Sequence, residues 1–159
     1  MSATLAMPEI AWSDELLTDQ PEMDATHREF VAHLALVQAA LGQPEVELLA
    51  RYDALVAHTV AHFAQEDRWM AALGFAADNC HTTQHTQVLA VLQDVRRQHV
   101  AHPGTDLIGR LLPELMHWFA QHAQAADAGL AGAMAEAAQE AALADEATPA
   151  APVLADAAR

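Results

Sequence analysis

Apolar side chains recur at steps of three and four along most of the chain, a spacing that predicts helices. The first helix is expected from Pro21 or Asp24 to Leu41, with Phe30, Leu34, Val37 and Leu41 on its apolar face; Gly42 and Pro44 punctuate its end. A second is expected from about Pro44 to Leu73, with Leu48, Leu55, His62, Trp69 and Leu73 in one stripe. Proline suits its first turn, and Gly74 stands where a glycine commonly ends a helix. The third begins at Asp78 or Asn79, both good N-caps, carries Val88, Leu92 and Val95, and stops before Pro103 and Gly104. The fourth runs from Thr105 and Asp106 to near Gly129, keeping the helical period through Leu111, Leu115, Trp118 and Phe119. Pro113 lies inside it and is expected to kink or restart it.

Short connections force sequential helices to run antiparallel, so residues 21–129 read as an all-α, up-down-up-down four-helix bundle. Ahead of it, residues 1–20 form an irregular arm containing Pro8, Ile10 and Trp12, and Trp12 is expected to pack onto the bundle. Behind it, residues 130–159 are alanine-rich and acidic, with Pro149 and Pro152 and few bulky side chains. Such a tail buries too little apolar surface to offset its ordering entropy. It is expected to be transiently helical to about Leu143 and mostly disordered as a whole.

Composition supports the helical reading. Hydrophobic residues make up 53% of the 159, much of it alanine, while strand-favouring types are thin. The formal charge is -15, and all 7 basic residues are arginine. No basic stripe is present to neutralise phosphates, which argues against nucleic acid, and an anionic membrane would repel the chain. No apolar run approaches spanning length and the N-terminus lacks a leader pattern, so a cytoplasmic protein without membrane insertion is expected. The single cysteine, Cys80, allows no internal disulfide and is expected to be a small buried or boundary residue.

Histidine is the unusual count, at 10. His58, His62 and Glu66 stand at steps of four on the second helix, and His81 and His85 do so on the third. His122 and Asp127 stand five apart on the fourth, and the first carries His27 and His33. A step of four points two side chains at one site. One such pair is more often a solvated surface pair, but pairs on several helices, mixed with core positions, are not. Burying several histidines and a carboxylate unpaired would cost on the order of several kcal/mol, which a metal offsets. A five-residue step turns an α-helix by about 140°, so spacing alone does not select Asp127.

The ordered set His27, His62-x3-Glu66, His81-x3-His85 and His122-x4-Asp127 resembles the hemerythrin family. Local features agree: Trp12 in an Ile-x-Trp arm, Asp24-x-x-His27, His62–Phe63-x-x-Glu66 followed by Met70, and Trp118 four residues before His122. The resemblance covers about residues 9–128 and implies two non-haem iron ions with an oxo or hydroxo bridge. It assigns His81, His85 and His122 to one iron, His27 and His62 to the other, and Glu66 and Asp127 to both. It further implies that O2 binds reversibly as hydroperoxide at the open position of the two-histidine iron.

Trp118, Phe119, Met70 and Ala123 are the candidate pocket residues by this resemblance; Ala123, where the family often has a large aliphatic residue, should widen the pocket or admit water. Asp67 follows Glu66 but points about 100° away and matches no ligand position. His58 reads as a polar bundle-end residue or an outer neighbour of His62, and His33, His99, His102 and His117 as surface or boundary residues. Glu114-x-x-His117 is half of a ferritin-type iron motif with no second copy.

The function expected is therefore an O2 carrier, store or delivery protein and not an enzyme, existing as a monomer or small homo-oligomer with a possible protein recipient of O2. Two alternatives are an O2 or iron sensor signalling to a protein partner, and a di-iron enzyme acting on peroxide or nitric oxide. No proton relay or second-substrate pocket is legible to support the enzyme.

Overall fold

The computed structural model describes residues 7–146. Five helices follow in order: α1 Pro21–Ala40, α2 Glu45–Ala72, α3 Cys80–Ala101, α4 Leu107–His122 and α5 Ala128–Glu146. A π-helical turn, Ala123–Asp127, joins α4 to α5. Helix α1 packs on α2, α2 on α3 and α3 on α4, and α4 returns onto α1, closing an antiparallel four-helix bundle. Among the described residues no helix is long and apolar enough to cross a membrane.

The helix ends follow the local chemistry. Gln20 caps α1 by accepting from the Met23 amide at 2.7 Å, and Pro21 occupies the first turn, where its missing N–H costs nothing. Gly42 (φ 81°), Gly74 (φ 79°) and Gly104 (φ 89°) adopt the left-handed conformation in the three loops. Asn79 heads α3 with a capping box: its side chain accepts from the His81 and Thr82 amides at 2.9 and 3.0 Å, and Thr82 Oγ1 accepts from the Asn79 amide. Replacing Asn79 by alanine should cost about 1 kcal/mol of stability by chemical denaturation. Because His81 sits in the turn that would fray, the same variant should also bind metal more weakly. Unchanged stability and metal binding would contradict this role.

The arm is docked rather than frayed over its described part. Gln38 pins it from both sides of its amide, accepting from the Ile10 N–H and donating to the Pro8 carbonyl, both at 2.9 Å. Ile10 and Leu16 are buried, and Trp12 is half-buried against the core with the Arg28 guanidinium 4.3 Å above its ring. The Asp24 carboxylate accepts from both the amide and the hydroxyl of Thr18, at 2.7 and 2.8 Å.

Two expectations about the fourth rod need correction. The helix is not restarted at Pro113: α4 continues through this exposed residue, which donates no backbone hydrogen bond, and gives way to the π turn ten residues later. Nor does the rod end near Gly129: α5 continues it to Glu146. Leu130 and Ala131 are buried and Met134 packs beside them, so the bundle extends past residue 129. Three apolar anchors suffice here because alanine and glutamate, which dominate the rest of α5, are strong helix formers. The expected disorder of residues 147–159 lies outside the described residues.

Apolar packing is split along the bundle axis. A long cluster fills the body, including Phe30, Leu34, Leu55, Phe63, Leu92, Leu112 and Phe119. A short one, Met23, Met70, Leu130 and Ala131, closes one end. Between them every rod contributes buried polar residues: His27 from α1, His62 and Glu66 from α2, His81 and His85 from α3, and His122 and Asp127 from the fourth rod.

Candidate metal centre

All seven side chains singled out in the sequence meet in that polar layer, each at most 6% exposed. Their donor atoms form two overlapping groups within 4.8 Å: Glu66, His81, His85, His122 and Asp127, and His27, His62 and Glu66. Each carboxylate divides its oxygens between the groups. Glu66 Oε1 lies 3.6 and 2.8 Å from Nε2 of His27 and His62, while its Oε2 lies 3.5 and 3.0 Å from Nε2 of His81 and His85. Asp127 Oδ2 lies 3.1 Å from His27 Nε2, and its Oδ1 lies 3.0 and 3.1 Å from Nε2 of His81 and His122.

Close approach here is not ordinary pairing. Only the His62 to Glu66 contact has hydrogen-bond geometry. Nε2 of His27, His81, His85 and His122, Glu66 Oε2 and both Asp127 oxygens are buried without a hydrogen-bond partner among the described residues. Donors of this number, buried and aimed at one another, are costly unless something charged sits among them. Imidazoles with carboxylates and no thiolate suit iron among the biological metals. The residues present therefore fit a metal site.

The π turn explains the five-residue step. An α-helix would leave Asp127 about 140° around the axis from His122. In the turn, the Ala128 N–H reaches back to the Ala123 carbonyl, five residues away. Such a wider turn stacks residues five apart, bringing Asp127 beneath His122 with 3.1 Å between their donor atoms.

Electrostatics tell the same story in the metal-free protein. Burial pulls the His27 and His81 imidazoles down, but Asp127 and Glu66 override it and raise both from 6.5 to about 9. Burial pushes the carboxyls up, but the surrounding imidazoles hold Glu66 and Asp127 well below the ordinary range. Without metal, protons neutralise the site. For the two histidines, whose folded pKa lies above the unfolded value, the stabilisation is complete below pH 6.5 and lost as pH rises through about 9. The carboxylates act oppositely, and their contribution vanishes only as pH falls through their depressed values. Metal-free protein should therefore lose stability between pH 6.5 and 9. At pH 7 metal uptake should expel a proton from each of His27 and His81. Calorimetric titration in buffers of different ionisation enthalpy checks this; a heat independent of buffer would contradict it.

Aromatic rings seal the layer. Phe63 stacks on His85 with centroids 3.9 Å apart and planes 4° off parallel. Phe119 turns its edge to His27 at 5.1 Å, and Phe30 lies 4.5 Å from Phe119. Of the expected pocket residues, Phe119 thus borders the two-histidine group, while Trp118 stacks on His122 in the three-histidine group at 4.6 Å. Ala123 is buried in the long cluster and Met70 in the short one.

Two polar neighbours escaped the sequence reading. Asp67 Oδ1 accepts from His85 Nδ1 at 3.1 Å, so this residue reaches the centre after all, from outside. Gln84 Oε1 accepts from His122 Nδ1 at 2.8 Å. The other histidines stay apart. His58 is half-buried one turn from His62, with Nε2 3.3 Å from the Thr26 carbonyl and its ring 5.0 Å from His33. Burial and the His62 and His33 rings hold its pKa below the ordinary value. His99, expected at the surface or boundary, is instead buried, with Nε2 2.9 Å from Glu45 at the start of α2. His102 and His117 are exposed, and so is Glu114. Cys80 is also exposed, against the expectation of a buried or boundary thiol; it precedes His81 but faces outward from α3.

A family model described as the hemerythrin HHE cation binding domain matches residues 18–149. A bacteriohemerythrin of Ralstonia nicotianae is 39% identical over 122 residues, covering 76% of this chain and 85% of the relative. Bacteriohemerythrins of Pseudomonas paraeruginosa and Pseudomonas aeruginosa are each 26% identical over 129 residues, covering 80% of this chain and 83% of theirs.

Proposed function

Since the chain belongs to the hemerythrin family, we propose that it binds O2 reversibly, as a carrier, store or delivery protein, at a non-haem di-iron centre with an oxo or hydroxo bridge. His27 and His62 hold one iron, His81, His85 and His122 hold the other, and Glu66 and Asp127 span the two. The observation that carries this reading is the division of carboxylate oxygens: Glu66 offers Oε1 to one histidine group and Oε2 to the other, and Asp127 does the same with Oδ2 and Oδ1. A single ion would leave half of these oxygens without a charge to face.

When bound, such an iron pair supplies two electrons to O2 and recovers them on release. The chain's own residues fix the spacing of the ligands, exclude water and withhold protons. Phe119 and Phe30 cover the two-histidine side, where O2 is expected to bind. Apart from Glu66 and Asp127, the buried acid among the described residues is Asp24, already occupied by Thr18. A site poor in free acids favours release over irreversible reduction.

The test is anaerobic reduction of the iron-loaded protein followed by air, observed in the near-ultraviolet and visible. A band that grows in with air and fades under vacuum, over repeated cycles, is the expected result. Irreversible bleaching on first exposure, or catalytic consumption of O2 by the reduced protein, would overturn the carrier reading.

A further inference from the structure

The five converging histidines all turn Nε2 inward, but their outer nitrogens are treated unequally. His85 donates from Nδ1 to the Asp67 carboxylate, and His122 donates from Nδ1 to the Gln84 amide oxygen. Nδ1 of His27 and of His62 is buried with no hydrogen-bond partner among the described residues. Both acceptors thus serve the three-histidine group. They are also placed by one rule: each stands next in sequence to a ligand of its own helix and serves a histidine of the following rod. Asp67 follows Glu66 on α2 and reaches α3; Gln84 precedes His85 on α3 and reaches α4.

We infer that Asp67 and Gln84 are positioning residues that lock His85 and His122 with the proton on Nδ1 and the lone pair on Nε2, making the three-histidine subsite the tighter of the two. This rests on the di-iron reading above. A neutral imidazole carries one proton, and an acceptor at Nδ1 decides where it sits and fixes the ring plane. The two acceptors differ in kind. Gln84 is neutral, and its amide must turn Oε1 toward the ring, since an N–H can be answered only by an acceptor. Asp67 is anionic, so besides orienting His85 it draws on the Nδ1 proton and makes Nε2 a stronger donor. At 49% side-chain exposure its charge is partly screened by water, and its orienting effect should exceed its effect through charge. On their outer sides, His27 and His62 meet only packing among the described residues, from Phe119, Phe30 and Phe63.

Asp67 lines an open cleft with Thr82, Thr83 and Thr86, so changing it removes no apolar core contact; Gln84 is only half-buried, and far-ultraviolet dichroism checks that each variant folds. The experiment is anaerobic titration of the full-length, metal-free protein with Co(II) against a competing chelator, read by its visible bands. Wild type should bind two ions in distinguishable steps. In Asp67→Ala and in Gln84→Ala the tighter step should weaken by about 10–100-fold while the weaker step changes little. Asp67→Asn keeps an acceptor oxygen and should recover most of the loss, whereas Asp67→Leu, similar in size but without an acceptor, should not, an outcome a purely packing role would not produce. Proton NMR of the Co(II)-loaded protein gives a second readout. Slowly exchanging Nδ1–H signals should be present from His85 and His122, and Asp67→Ala should accelerate exchange of one alone. Two binding steps equal to wild type in both alanine variants would overturn the inference and leave the di-iron reading intact. A wild type that binds no pair of ions would overturn both.

Discussion

Replacing Glu66 by alanine should strip the protein of paired iron, leaving less than one ion per chain after reconstitution and desalting. Glu66 is the residue shared by both groups of converging donors. Its loss takes Oε1 from His27 and His62 and Oε2 from His81 and His85 in one substitution. Replacing His81 removes a donor from one group and should mainly lower occupancy of that subsite. Alanine is the strongest helix former, so α2 should persist and far-ultraviolet dichroism should barely change. Metal analysis beside the dichroism separates a lost site from a lost fold. Two irons retained by Glu66→Ala would mean that the carboxylate does not span the pair.

Phe63→Ala should have the largest effect on stability, lowering it by about 3–5 kcal/mol. Phe63 is 2% exposed and belongs to the long apolar cluster. Its ring lies flat on His85 and also meets His62, Trp118 and His122, with centroids between 5.3 and 6.2 Å. The cavity left behind would border the polar layer and admit water to imidazoles now shielded from it. Chemical denaturation of the metal-free forms isolates the packing contribution, because metal affinity then adds nothing to the difference. A loss below about 1 kcal/mol, the ordinary cost of a point substitution, would show that the ring is not integral to the core.

How much of this was legible before the structure depends on which spacing each residue obeys. Helices α1 to α3 follow from apolar residues three and four apart, broken by Gly42, Gly74 and Pro103, and their ends fall within two residues of expectation. His62 with Glu66 and His81 with His85 stand out because a step of four is a step along one face. Asp127 did not, because the turn that brings it under His122 is a π turn, a backbone irregularity that residue periodicity does not encode. Family resemblance, not spacing, singled it out. Asp67 and Gln84 were missed for the opposite reason. Ideal helix geometry turns each about 100° from the ligand beside it, which is off the site's face but toward the neighbouring helix. An acid or amide directly adjacent to a ligand is the signal that would have found them. In the C-terminal rod, sparse apolar content predicts that ordering entropy wins, yet Leu130, Ala131 and Met134 anchor a helix that alanine then sustains.

On this reading, two irons share two carboxylates within one bundle. Mössbauer spectroscopy of the oxidised protein loaded with iron-57 tests it most directly. The expected spectrum is that of a magnetically coupled pair with a diamagnetic ground state, carried by two irons per chain. A spectrum of isolated high-spin iron(III), matched by a paramagnetic resonance signal at full intensity, would contradict it.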